Sequence, residues 1–270
     1  MLDTRATGEA IERAEIRGRR ECVAMARRLA PQLNAEIVEI AGGVAPFVGA
    51  GSPLSEAAGL GMFAEVSARD VDRLTDFYAE RATPPRVAVT PLASLDLFGE
   101  LVRAGYRPVE HQNVLACEIA DIDCERDERI VESQDPWAWG RASAAGFMDR
   151  EPTGDELLTG AIIAAIPSVT ALELRTGGTV CATGAMDVQG EYAALFAAST
   201  MPDARGRGFQ TAMIRDRVAR ARRRGARVAH AGAGVASQSE RNFRRLGFAV
   251  LYTRTVWEKP LIPPQRRATA

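Results

Sequence analysis

Apolar residues along this chain recur at helix spacing in some stretches and at strand spacing in others, and the switches between the two periods mark out its elements. In residues 6–29, Ile11, Met25 and Leu29 fall among many charges, which predicts an amphipathic helix ended by Pro31. Residues 35–40 alternate as a strand, and the glycine- and proline-rich stretch 42–61 runs through Gly59-Leu60-Gly61-Met62 into a short apolar strand. Ser67-Ala68-Arg69-Asp70 has the form of a capping box, opening a helix through Leu74, Phe77 and Tyr78 that stops before Pro84 and Pro85. A strand at 86–90, a helix at 95–104 closed by Gly105 and a strand at 106–119 follow. The acidic, arginine-rich segment 121–132 reads as a linker or edge element. A domain boundary is expected there, dividing the chain into 1–125 and 126–270.

The second half predicts a helix through Trp137, Trp139 and Phe147 and another at 156–166. Strands at 169–175 and 179–188, joined by Gly177-Gly178, and a third at 191–200 after Gln189-Gly190 make three antiparallel strands in succession. Pro202-Asp203-Ala204-Arg205-Gly206-Arg207-Gly208 then leads into a helix whose apolar face is Ile214, Val218 and Ala221. A strand at 227–231, a helix at 238–246 ended by Gly247 and a strand at 248–257 complete the order. Arg103-Ala104-Gly105-Tyr106 matches Arg245-Leu246-Gly247-Phe248, each at a helix C-terminus before a long strand, which suggests that the two halves share a fold.

Composition narrows the function. At 270 residues, 46% hydrophobic and 26% charged, the chain makes one large domain or two modest ones and is neither disordered nor fibrous. A net charge of −1 and a pI near 6.2 remove any global pull toward nucleic acid or an anionic membrane. Arg215, Arg217, Arg220, Arg222, Arg223 and Arg224 are accounted for as the solvated sides and C-terminus of one amphipathic helix, so no nucleic-acid partner is expected. Cys22, Cys117, Cys124 and Cys181 show no C-x-x-C spacing and have only His111 and His230 to assist them, so no metal is expected and the thiols read as reduced packing residues. With no apolar leader and no uncharged apolar run near 18 residues, the expectation is a cytoplasmic protein without a membrane partner.

The strand, the Arg-Gly-Arg-Gly loop and the helix after it can bind phosphate. Glycines let the amides of Gly206, Arg207 and Gly208 approach closely, the helix N-terminus adds partial positive charge, and Arg205 and Arg207 supply charge-assisted hydrogen bonds. It is not a P-loop, because no Gly-Lys-Ser/Thr follows. Nor is it a dinucleotide fingerprint, because Thr211 holds the place of the third glycine.

Pro202-x-x-Arg205-Gly206-Arg207-Gly208, between a strand and a helix–strand–helix that ends in Leu246-Gly247-Phe248, resembles the GNAT superfamily of acyl-CoA-dependent N-acetyltransferases over residues 130–260. Its loop pattern is Q/R-x-x-G-x-G/A, with Gln210 here where glycine or alanine is usual. The first half repeats the same succession of elements in degenerate form, as in a tandem bacterial subgroup, but Glu65 and Asp70 would repel a pyrophosphate there. The resemblance implies an α/β (α+β) fold with a mixed, mostly antiparallel central sheet flanked by helices, and CoA binding in the second half only. It implies a cofactor cradle of Ser199, Thr200, Met201, Arg205, Gly206, Arg207, Gly208, Phe209, Gln210, Thr211 and Asn242, with pantetheine pairing along the strand that ends at Met201 and amides near Ser199 and Thr200 meeting the oxyanion.

The attacking amine must lose a proton. Glu191, Asp187 and His230 are candidates for its base, with a solvated charge as the alternative for Glu191 and a satisfied structural residue for His230. The family's usual acid is a tyrosine four residues before the Gly-Phe, where this chain has Phe243; Tyr252, Ser237 or Ser239 could substitute. Asn242 could equally serve the cofactor or cap local backbone, and of Trp137 and Trp139, which cannot share a helix face, one is expected in the core and one lining an acceptor cleft. The expectation is therefore transfer of an acetyl or short acyl group from acetyl-CoA to a small-molecule amine or a peptide. A non-catalytic acyl-CoA sensor is the alternative, and the first half could act as a platform for a homodimer.

Overall fold

The computed structural model describes residues 2–261. In the first half α1 (Thr4–Leu29) precedes β1 (Glu36–Ile40), β2 (Gly43–Phe47), β3 (Ala57–Ala58), α2 (Ala68–Ala79), β4 (Arg86–Val89), α3 (Leu95–Arg103) and β5 (Arg107–Glu118). The second half contributes β6 (Ile130–Glu132), α4 (Pro136–Met148), α5 (Gly154–Ala164), β7 (Val169–Thr176), β8 (Thr179–Gln189), β9 (Tyr192–Thr200), α6 (Phe209–Arg223), β10 (Val228–Gly234), α7 (Gln238–Arg245) and β11 (Ala249–Glu258).

All of these strands join one sheet in the order β1-β2-β3-β4-β11-β5-β10-β9-β8-β7-β6. The middle of that order carries the architecture. β5 belongs to the first half yet pairs with β10, and β11 belongs to the second half yet pairs with β4, while β5 and β11 run antiparallel to each other. The expected division at residue 125 thus cuts the sequence but not the sheet, because each half lends its last strand to the other.

The short internal repeat explains the symmetry of this exchange. Gly105 and Gly247 both have positive φ, at 85° and 92°, which a residue with a side chain rarely adopts. Both turns close alike: Gly105 N–H donates to Val102 C=O and Tyr106 N–H to Leu101 C=O, and Gly247 N–H donates to Arg244 C=O and Phe248 N–H to Phe243 C=O. Each turn releases the strand that crosses over. Flanking the crossover, each half also keeps one parallel pair, β3 with β4 and β9 with β10.

Helices cover both faces. α2, α3, α6 and α7 pack on one, where Leu74, Leu97 and Leu101 meet Val87 and Val89, and where Ile214, Val218 and Phe243 meet Leu115, Leu195 and Ala229. α1, α4 and α5 lie on the other. Ile11 of α1 packs on Val114 and Tyr252, its Val23 and Ala26 reach Ile162 and Ile166, and Trp139 of α4 is fully buried with Nε1 donating to Leu172 C=O at 3.0 Å.

The structure departs from the sequence reading in the stretch 42–66. No strand runs from Gly59; positive φ at Gly59 and Gly61 makes that segment a pair of tight turns. The strand lies earlier, as β2, hidden by its glycine and proline. Gly43 is required there, since a Cβ would stand 2.4 Å from Ala58 O and from Leu60 N.

Strand exchange makes a prediction. Fragments 2–125 and 126–261, each expressed alone, are expected to lack a cooperative thermal transition, because each would expose the strand edges its partner covers. Mixed, they should recover one shared transition; independent melting of either fragment at the full chain's temperature would contradict the intercalated sheet.

Candidate active site

β9 and β10 are paired only over Tyr192–Ala194 and Val228–His230, after which the sheet opens. The opening is accessible: Gly232 and Gly234 are exposed, and a side chain added at Gly232 would meet only Gln112 Oε1, at 4.0 Å. On its other edge β9 slips against β8. Thr183 faces Ser199 and Ala185 faces Phe196, so Ala197 and Ala198 share the one place opposite Gly184. Ala197 has φ +46°, and such a bulge leaves one residue without a ladder partner. Met201 N–H bonds Cys181 C=O, so alternation along the strand turns the Thr200 amide toward the opening.

Beyond Met201 the chain turns through Arg205–Gly208 into α6. Gly206 and Gly208 have φ of 73° and 78°, and nothing lies within 4 Å of where their side chains would stand. The helix starts without a side-chain cap, and the first bond back from it is Ala212 N–H to Gly208 C=O. Its leading amides thus face solvent at the positive end of the dipole. This bare, roomy terminus fits a phosphate-bearing ligand. In the first half the corresponding terminus of α2 is filled by its own acid: Asp70 Oδ2 accepts from Ser67 N–H at 2.9 Å and from Ser67 Oγ at 2.6 Å.

Several cradle residues have local duties. The Arg205 guanidinium does not face the loop's open side. It pairs with the Asp149 carboxylate and donates to Gly146 O and Thr200 O, tying the loop to the end of α4. Ser199 Oγ and Thr183 Oγ1 are 3.0 Å apart, and Gly146 leaves them room, since its Cβ would stand 2.4 Å from Ser199 Oγ. Phe209 is buried in the core with Arg207 over its ring at 5.0 Å. Gln210 and Asn242 bond each other across α6 and α7, Gln210 Nε2 also reaching Ser239 Oγ at 3.2 Å, and Thr211 is half-buried beside them.

At the closed end of the opening, Asp187, Ala194, His230 and Ala116 are cross-strand partners in one row and share the face covered by α1 and α4. Asp187 and His230 stand about 10 Å apart by two strand spacings, with only a methyl group between them. Both are buried, and Asp187 Oδ1 and His230 Nε2 have no hydrogen-bond partner. Burial pushes the His230 pKa down to about 4, Glu15 opposing and Arg254 adding to the shift, so the imidazole is neutral near pH 7.

Two of the three catalytic candidates, Glu191 and Tyr252, lie away from the opening. Glu191 is exposed at the far end of β9, roughly 25 Å of strand from Ser199, and pairs with Arg227 at 3.0 Å. Tyr252 is separated from β9 by β5 and β10, and its hydroxyl donates to Glu12 Oε1 at 2.7 Å. Burial and the Glu12 charge raise its pKa, so it holds its proton. Glu12 also takes Arg254 Nη2 at 2.6 Å, and Arg254 Nη1 stands 3.9 Å from Glu15. Burial alone would raise the Glu15 carboxyl, but Arg254 and Arg19 hold it below its ordinary value. Phe243 packs edge-on against Phe248 with ring centroids 4.9 Å apart, and offers no proton.

The six arginines of α6 and its C-cap divide: Arg222, Arg223 and Arg224 are exposed and Arg215 is half-buried, whereas Arg217 and Arg220 are buried, against the expectation that all cover solvated sides. Arg217 lies four residues after Met213 and three after Ile214, inside the apolar stripe, and that periodicity was the signal that could have found it. Glu12 and Glu15 left no comparable trace. Among the described residues no group of three or more His, Cys, Asp or Glu gathers to hold a metal, and no helix is long and apolar enough to cross a membrane.

A buried neutral histidine couples stability to acidity. Its native pKa near 4 lies below the ordinary 6.5, so the unfolded chain binds more protons between those values and stability falls as pH drops through that window, by about 3 kcal/mol in all. Urea unfolding of His230→Gln is expected to show a correspondingly shallower dependence from pH 6.5 to 4; an unchanged slope would show that His230 is not the group titrating.

No protein-family model and no curated protein sequence matches this chain. Solved structures do match. A GCN5-related N-acetyltransferase from Kribbella flavida superposes with a TM-score of 0.62 at 18% identity, over 88% of this chain and 96% of its own. A tandem GNAT protein from the clavulanic acid biosynthesis pathway gives 0.54 at 11% identity, over 82% and 79%, and an acetyltransferase of the GNAT family from Colwellia psychrerythraea gives 0.51 at 12%, over 85% and 86%. Identities this low speak to architecture alone, and the architecture they establish is the GNAT fold, present here as two halves that share a sheet.

Proposed function

We propose that the second half transfers an acetyl or short acyl group from acyl-coenzyme A to an amine on a small molecule or peptide. The observation that carries this reading is the opening between β9 and β10, with the uncapped terminus of α6 directly after β9. Amides of Gly206 to Phe209, with the exposed Arg207, would hold the pyrophosphate, and the free edge of β9 would pair with the pantetheine arm. The thioester supplies an activated acyl carbon; the remaining tasks fall to this chain.

An amide of the Ala197–Ala198 bulge, with that of Thr200, donates to the acyl oxygen as negative charge builds on it. As the C–N bond forms and the C–S bond breaks, the nitrogen sheds a proton. His230 Nε2 is unpartnered and at the closed end of the opening; because burial disfavours its charged form, it relays that proton to solvent rather than keeping it. With Phe243 in the core, the departing sulfur takes its proton from solvent.

A second reading, an acyl-CoA-binding protein without turnover, is favoured by the same Phe243 and by the Gln210–Asn242 bond that ties α6 to α7. Acetyl-CoA in large excess is expected to raise the melting temperature of the wild type and not of Gly208→Glu, where an added carboxylate and a strained φ meet at the loop. Equal shifts in both would remove either reading. Thiol release from acetyl-CoA over a panel of amines separates them: His230→Gln should keep the melting shift and lose at least tenfold in turnover, whereas a wild type that binds and never releases thiol is the sensor.

A further inference from the structure

Arg217 is fully buried two turns into α6, and among the described residues no carboxylate bonds its guanidinium. The neighbouring Asp216 is committed elsewhere. Its Oδ1 accepts from Arg126 Nε at 2.7 Å and Asp127 N–H at 3.0 Å, and its Oδ2 from Arg220 Nε at 2.6 Å. Arg217 donates only to backbone carbonyls: Nε to Met213 O at 3.1 Å, and Nη1 to Ala185 O at 3.0 Å and Phe196 O at 3.2 Å, while Nη2 has no partner. Burial lowers its pKa to about 10, so the cation persists near neutral pH. A methionine would fill a similar volume without the desolvation cost of an unpaired ion.

What the cation holds is the slip between β8 and β9. Ala185 and Phe196 are the last pair before the register breaks, and Gly184 opposite the bulge is what admits Arg217, since a Cβ there would stand 3.3 Å from Arg217 Cζ and 3.0 Å from Met213 Cγ. The Phe196 carbonyl and the Ala197 N–H belong to one peptide unit. A cation on the carbonyl draws electron density through that unit and makes its N–H a stronger donor.

We propose that Arg217 is a positioning residue for acyl transfer: by binding the Ala185 and Phe196 carbonyls it keeps the β9 bulge open and polarises the Ala197 amide toward the acyl oxygen. This rests on the acyl-transfer reading above. Without the guanidinium, the Ala185 and Phe196 carbonyls lose the donor they share, and among the described residues nothing else on this face opposes a return of the strands to one register with Ala197 out of its positive φ.

Arg217→Met and Arg217→Lys in the full chain test this. For Arg217→Met the expected result is a melting temperature equal to or above that of the wild type, a kcat at least tenfold lower with KM for acetyl-CoA within about threefold, and a crystal structure with Ala197 at negative φ and β8–β9 in one register. Arg217→Lys, which keeps the charge but only one prong, should recover part of kcat and keep the bulge. A role in folding alone would lower the melting temperature and leave kcat of the folded fraction intact. A kcat within twofold of wild type in Arg217→Met, or an unchanged slip at Ala197, overturns the proposal. Should Arg217→Met fail to fold, Arg217→Lys decides through the same readouts. If the wild type shows no turnover with any amine, the acyl-transfer reading fails by itself, and the register of β9 in the variants still decides whether Arg217 holds the bulge.

Discussion

The antiparallel pairing of β5 with β11 is the constraint on which the molecule depends. These are long strands, released by matching glycine turns at Gly105 and Gly247, and their exchange turns two small sheets into one. Without it, α1 would have no Tyr252 and Arg254 to lie against, and the Glu12 carboxylate would lose both of its partners. His230 owes its environment to the same exchange: Ala116 of β5 flanks it in the sheet, while the charges that bear on it come from α1 and β11.

A shared plan has been put to unequal use. Both halves contain a parallel pair followed by an exchanged strand, but β3 is two residues long and leaves no free edge, whereas β9 runs six residues past its last pair with β10. Asp70 fills the positive end of α2, and glycine leaves that of α6 bare. One half closes the electrostatic site that the other keeps open, and the difference comes down to a carboxylate, a glycine and the length of one strand.

Much of this was legible in the sequence. Helix periods, turn glycines and the Arg-Gly-Arg-Gly loop report local physics, and the repeat around Gly105 and Gly247 survived because the left-handed turn demands glycine. What was not legible depends on partners far along the chain. Glu191 is adjacent to β9 in sequence, but adjacency does not say which end of a strand borders the opening. Tyr252 could be placed on a strand, but not three strands away from β9. The helix period puts Arg217 inside the apolar stripe of α6, but what its guanidinium binds shows only when the Gly184 gap and the slip in β9 are seen together.

The interleaved order of the central strands also dictates when the protein can assemble. β4 has β3 on one edge, but its other edge stays open until residues 249–258 have been made, so a nascent chain must wait, with that edge and β5 unprotected, for about 140 residues after β5. Long-range pairing of this kind slows folding, and it leaves the two halves no opportunity to fold one after the other. A lesion in β11 is therefore felt at β4, about 160 residues earlier in the chain.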